Sequence, residues 1–109
     1  MPDSDLIMVS EFLTRFYHQE PDYLEATLKA LNILKGLDKY KWELANSFTS
    51  IFENEHPPDT LKNIVLFRAN RYVQSDEDAK EVLKRIFKDN VLDMALFFDE
   101  EEQDYKNSK

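Results

Sequence analysis

One glycine, Gly36, stands in the whole 109-residue chain, and that near-absence removes many fold classes. Tight hairpin turns need residues at positive φ, and phosphate-cradling loops and the Rossmann turn need clustered glycines. Nucleotide-binding enzyme folds are therefore not expected. What remains is helical: apolar residues recur at helical spacing for most of the length, with capping residues where one helix should give way to the next.

Leu6, Val9, Leu13 and Phe16, with Phe12 and Tyr17 beside them, form one face of a first helix. Pro21 suits the first turn of a second helix, whose stripe is Leu24, Leu28, Leu31 and Leu34 and which Gly36 closes. Asp38 is the expected cap of a third, with Trp42, Ala45, Phe48, Ile51 and Phe52 inward and a stop at His56-Pro57-Pro58. Asp59 or Thr60 starts a fourth, in which Leu61, Val65, Arg68 or Ala69 and Tyr72 keep the period; a short strand near residues 63–68 is the alternative. Ser75 caps a fifth with Asp76, Glu77 and Asp78 in its first turn, followed by Ala79, Val82, Leu83, Ile86 and Phe87 on one face. Residues 91–98 make a last short apolar element, helix or strand, that runs into an acidic tail. The expected fold class is all-α, a single compact domain of five or six helices over residues 1–98, with residues 99–109 as an acidic carboxyl-terminal tail.

Charge narrows the functional classes. The chain holds 22 acidic residues against 14 basic, and the excess is concentrated after Ser75, with Asp99, Glu100, Glu101, Glu102 and Asp104 nearly contiguous. Such a surface repels nucleic acid and anionic membrane and steers basic partners toward it. The basic residues Lys80, Lys84, Arg85 and Lys88 lie among acids, with Glu77 and Glu81 at spacings that pair them, so a solvated, neutralised helix face is preferred to a phosphate-binding one. The same holds for Lys39-Tyr40-Lys41-Trp42. Without cysteine, neither a disulfide framework nor a thiolate zinc site is available. The amino terminus lacks the basic segment and apolar run of a secretory signal, and no apolar stretch reaches membrane-spanning length, so a cytoplasmic protein is expected.

Candidate chemistry is sparse. Glu53 and His56 have the Glu-x-x-His spacing of a carboxylate-bridged metal site, but a second copy of the motif is missing and His56 abuts two prolines at a helix end. No metal or cofactor is expected. The serines lie in no glycine-flanked elbow and there are only two histidines, so no nucleophile–base pair can be picked out and an enzyme is not expected. Tyr17, Tyr23, Tyr40, Trp42 and Tyr105 are candidate amphipathic anchors for a protein partner.

Two segments carry a resemblance. Phe12–Asn32, FLTRFYHQEPDYLEATLKALN, and Leu66–Phe87, LFRANRYVQSDEDAKEVLKRIF, together about two-fifths of the chain, resemble the small bacterial immunity proteins of contact-dependent growth inhibition systems. In those proteins an aromatic-His-Gln-acid step follows the first helix, and an Asn-Arg step leads to an acid-capped helix. Where the commoner pattern continues with Asp and Trp or Phe, this chain has Glu20-Pro21-Asp22-Tyr23. The resemblance implies a cytoplasmic antidote that binds a toxic domain, often a nuclease, by stoichiometric tight association. It transfers no binding residues, and His18, Gln19 and Glu20 read as a structural corner between helices.

The functional expectation is an immunity protein that neutralises a basic toxin domain. Its expected toxin-binding residues are Asp76, Glu77 and Asp78 at the fifth helix and Asp99, Glu100, Glu101 and Glu102 in the tail. The competing readings are a helical adaptor or regulatory protein that uses an apolar groove, and an acidic nucleic-acid mimic that inhibits a defence nuclease.

Overall fold

A computed structural model describes residues 2–92. Five α-helices carry most of them: α1 Pro2–Phe16, α2 Tyr23–Leu34, α3 Asp38–Glu53, α4 Thr60–Arg68 and α5 Asp76–Phe87, the last continued by one π-helical turn, Lys88–Leu92. There is no strand among the described residues, so the all-α expectation holds and residues 63–68 belong to α4. Residues 93–98, the other place where a strand was the alternative, and the acidic tail 99–109 lie outside the described residues.

The core forms where the long aromatic face of α1 meets α3, with α5 joined to it through α3. Val9, Phe12, Leu13, Phe16 and Tyr17 are all buried. Phe12 meets Phe48 of α3 edge-on at 6.3 Å, and Phe48 stacks on Phe87 of α5 at 5.4 Å. Pairs of this geometry each add about 0.5–1.5 kcal/mol beyond the area they bury. α5 turns Ala79, Leu83 and Ile86 into the same core, as its periodicity predicts, and Ser75 caps it by accepting from the Asp78 N–H at 3.1 Å.

α2 departs from expectation. The inward face is Ala26, Thr27, Ala30 and Leu34, whereas Leu24 and Leu28, predicted to be core, are 63% and 50% exposed. The cause is polar. The Tyr17 hydroxyl is buried at the end of α1 and hydrogen-bonds the Thr27 hydroxyl at 2.8 Å, which turns the small-residue face of α2 inward. Leaving that phenol unpartnered in the core would cost about 1–3 kcal/mol, and small side chains let the helices approach closely. The helix begins at Tyr23 rather than Pro21, capped by Asp22, which accepts from the Glu25 N–H.

Smaller differences have local causes. Asp38 is the first residue of α3 rather than its cap, and Leu37 before it supplies no side-chain cap bond. Trp42 lies toward solvent, while Leu44 and Ser47 take inward positions; the Ser47 hydroxyl donates to the Met8 sulfur at 3.3 Å. α4 stops at Arg68, so Tyr72 is not part of its stripe. Asn70 adopts φ 53°, a left-handed conformation that asparagine tolerates better than most residues, and the Arg71 N–H reaches back to the Val65 carbonyl.

Phe48→Ala should lower unfolding free energy by about 3–5 kcal/mol in denaturant titrations, because its ring is fully buried. Phe67→Ala, on the solvent side of α4, should change it by no more than about 0.5 kcal/mol.

Candidate functional site

Residues 12–32 and 66–87, distant in sequence, meet in space. Arg71 reaches across to the end of α1, where its guanidinium donates to the carbonyls of Tyr17 at 3.1 Å and Glu20 at 2.6 Å. Asn70 donates to the His18 carbonyl at 3.2 Å. His18, Gln19 and Glu20 thus form a corner whose backbone is held by the Asn-Arg step, and the Glu20 side chain is occupied as well. Its carboxylate pairs with Lys29 at 2.8 Å and accepts from the Asp22 N–H, and these bonds hold its pKa below the ordinary value. The Lys29 ammonium is raised by the same bond.

The acids predicted to bind a partner divide into two kinds. Asp76 holds two backbone groups of another element, its Oδ2 accepting from the Asp59 N–H at 2.8 Å and its Oδ1 from the Lys62 N–H at 2.9 Å. α4 has no side-chain cap of its own, since Asp59 sits at φ 67° and its carboxylate makes no cap bond. The start of α5 therefore caps the start of α4 from a distant point in the chain. Glu77 and Asp78 are exposed and form no ion pair among the described residues. Asp59, also exposed, joins them at the same end of the molecule. Sequence reasoning treats Asp59 only as a helix start, because its proximity to Asp76 depends on the path of residues 69–75. Tyr72, in that connection, is 80% exposed. Asp99, Glu100, Glu101 and Glu102 lie outside the described residues.

The basic residues of α5 follow the expected pairing in part. Lys84 lies 3.9 Å from Glu81, whereas Arg85 turns the other way, 3.9 Å from Asp89 and over the Tyr23 ring at 4.2 Å. The Tyr23 phenol donates to the Asp89 carboxylate, and burial first, then that bond, pushes its pKa well above the ordinary value. Burial also raises the pKa of Tyr17 and Tyr40. His56 hydrogen-bonds the Ile51 carbonyl at 2.9 Å and so serves the end of α3. Among the described residues no group of three or more His, Asp or Glu is arranged to hold a metal ion, and no helix is long and apolar enough to cross a membrane.

Two grooves among the described residues have apolar walls. The larger, about 750 Å³, runs between α1 and α4 over Leu6, Ile7, Ile64 and Phe67. The contacts of Asn70 and Arg71 with His18 and Tyr17 bring the carboxyl ends of these helices together, so Arg15 and Arg68 sit at one end of the groove. Neither forms an ion pair among the described residues. The second groove lies between α2 and α5, with Leu24, Leu28 and Leu31 facing Arg85 and Asp89. No protein-family model matches the chain, and no curated protein or solved structure matches it.

Asp76→Ala should lower unfolding free energy by about 1–2 kcal/mol through the lost cap, whereas Glu77→Ala and Asp78→Ala should each stay within about 0.5 kcal/mol; denaturant titration separates them. A second expectation concerns alkaline pH. Tyr17, Tyr23 and Tyr40 are favoured as neutral phenols in the folded state, so their contribution is intact below the unfolded value of about 10 and is lost as pH rises through the raised folded values. Their phenolate absorbance should therefore grow together with loss of helical circular dichroism, not ahead of it.

Proposed function

We propose that this protein acts by stoichiometric association with a basic protein, and that the partner is a toxin domain, of the nuclease kind, which it neutralises as an immunity protein does. The observation that carries the reading is the acidic end formed by Asp59, Glu77 and Asp78. Its exposed carboxylates form no ion pair among the described residues, in a chain of net charge −8. Beyond the favourable position of Glu77 and Asp78 in the first turn of α5, like charges crowded at one end add little to the fold, but they create a field that accelerates encounter with a cationic groove and matches the charge along a phosphate backbone only loosely, by sign. Tyr72, four residues before Asp76 and strongly exposed, supplies an amphipathic anchor of the kind that dominates protein interfaces. Asp76 stays out of the contact set, since both of its oxygens are engaged in holding the start of α4.

A specific observation favours a second reading, that of a helical adaptor. The α1–α4 groove is apolar along its floor and ends in two arginines that form no ion pair among the described residues, which fits an amphipathic helix with acidic residues at one end.

The test is co-expression with the product of the adjacent gene, scored by growth rescue, followed by titration calorimetry of the pair. Glu77→Lys combined with Asp78→Lys should weaken association by about tenfold or more and flatten its dependence on salt, with unchanged circular dichroism. Undiminished affinity in that variant would remove the acidic end from the interface. Loss of binding in Ile7→Ala combined with Phe67→Ala instead would assign the α1–α4 groove.

A further inference from the structure

α2 is apolar on two sides. One side enters the core through Ala26, Ala30 and Leu34; the other carries the row Leu24, Leu28 and Leu31, of which the first two are mostly or half exposed. Glu25, Lys29 and Asn32 form the polar part of the α2 surface, and residues 2–92 leave the apolar row uncovered. The opposite wall of its groove is formed by Arg85 and Asp89, and the Tyr23–Asp89 hydrogen bond lies at one end of it.

That end is also where the described chain stops. Asp89 belongs to the π-helical turn, and Leu92 follows three residues later. The sequence that continues is Asp93-Met94-Ala95-Leu96-Phe97-Phe98, followed by Asp99-Glu100-Glu101-Glu102. Five consecutive apolar residues therefore begin next to an apolar groove that residues 2–92 leave open.

We propose that the groove between α2 and α5 is the docking site of the chain's own segment Met94–Phe98. Reach permits it: the six residues 93–98 span at most about 20 Å, and α2, with twelve residues, is about 18 Å long. Charge supports the direction. A segment that enters beside Tyr23 and follows the leucine row delivers Asp99 and the glutamates after it toward the α2–α3 connection, where Lys35 and Lys39 are exposed and form no ion pair among the described residues. The apolar half of the segment meets leucines, and the acidic half meets lysines. This assignment gives the tail acids a role inside the molecule and does not depend on the acidic end proposed to bind a toxin.

The absence of cysteine makes the test clean. In the full-length chain, Leu28→Cys is combined with Phe97→Cys or with Phe98→Cys, and Phe67→Cys is combined with the same two as controls on the other groove. Disulfides form only where Cα atoms come within about 7 Å. Under mild oxidation one Leu28 pair should close within a single chain at least about tenfold faster than either Phe67 pair, and reversal of Asp99, Glu100 and Glu101 to lysine should slow it. Equal rates for both grooves would overturn the proposal, as would bridges found only between chains, which would make a second copy the occupant. Limited chymotrypsin digestion gives an independent reading without cysteines. Leu24→Asp combined with Leu28→Asp should speed cleavage after Phe97 or Phe98 about tenfold over the parent chain, and an unchanged rate would count against docking.

Discussion

Burial of a single phenol governs how the helices are arranged. Tyr17 stands at the end of α1 with no solvent exposure, and its hydroxyl needs partners that only other elements supply. Thr27 of α2 is one, at 2.8 Å, and Asn90 of the π-helical turn is the other, donating at 2.7 Å. Asn90 also donates to the Ile86 carbonyl at 3.0 Å, so the same amide ties the phenol to the end of α5. Its oxygen is buried without a partner among the described residues. Because a half-satisfied buried network costs more than an apolar one, the positions of α2 and of the turn after α5 are coupled. The insertion of a π turn at Lys88–Leu92 has a reason in this contact: it places Asn90 where Tyr17 requires a donor. Arg71 finishes the arrangement from outside, with its guanidinium 5.8 Å from the Tyr17 ring centre and bonded to the Tyr17 and Glu20 carbonyls.

This dependence explains which parts of the fold could be read from sequence. α5 was legible because everything that defines it is local: Ser75 as cap, acids in the first turn, and an apolar period with no competing polar demand. α1 was legible for the same reason. α2 was not, since its strongest periodic signal, the leucine row, is outvoted by one threonine whose partner lies ten residues earlier in the chain. No spacing rule tells a core-facing leucine row from an outward one when both faces of a helix are apolar. The extension of α4 to Tyr72 failed for a backbone reason, the left-handed turn at Asn70, which asparagine signals only weakly.

The candidate site repeats the pattern. Glu77 and Asp78 stand where helix position alone places the side chains of a first turn, out in solvent. Asp76, close in sequence to Asp78 and identical to it in chemistry, has a different fate because the connection 69–75 returns α5 to the start of α4. The same return adds Asp59 to the acidic end. Three acids in a row therefore include one that holds the start of another helix and two whose carboxylates face solvent, and that division follows from tertiary geometry and not from residue type.

The separation between scaffold and surface has a consequence for how such a chain can change. The interactions that fix the helices, Tyr17 with Thr27 and Asn90, Arg71 with the corner carbonyls, and Asp76 with the start of α4, are inward or local. The acidic end and the floor of the α1–α4 groove contribute little to them. Substitutions at Glu77, Asp78, Tyr72 or Phe67 therefore alter the surface without disturbing a buried polar group. Surface substitutions of that kind usually shift stability by no more than about 0.5 kcal/mol, whereas a change at Tyr17 strands the polar groups of Thr27 and Asn90 together. The structure can thus hold its helices constant while its exposed surface is rewritten, and the leucine row of α2 is the exception, an apolar face whose freedom to vary depends on what covers it.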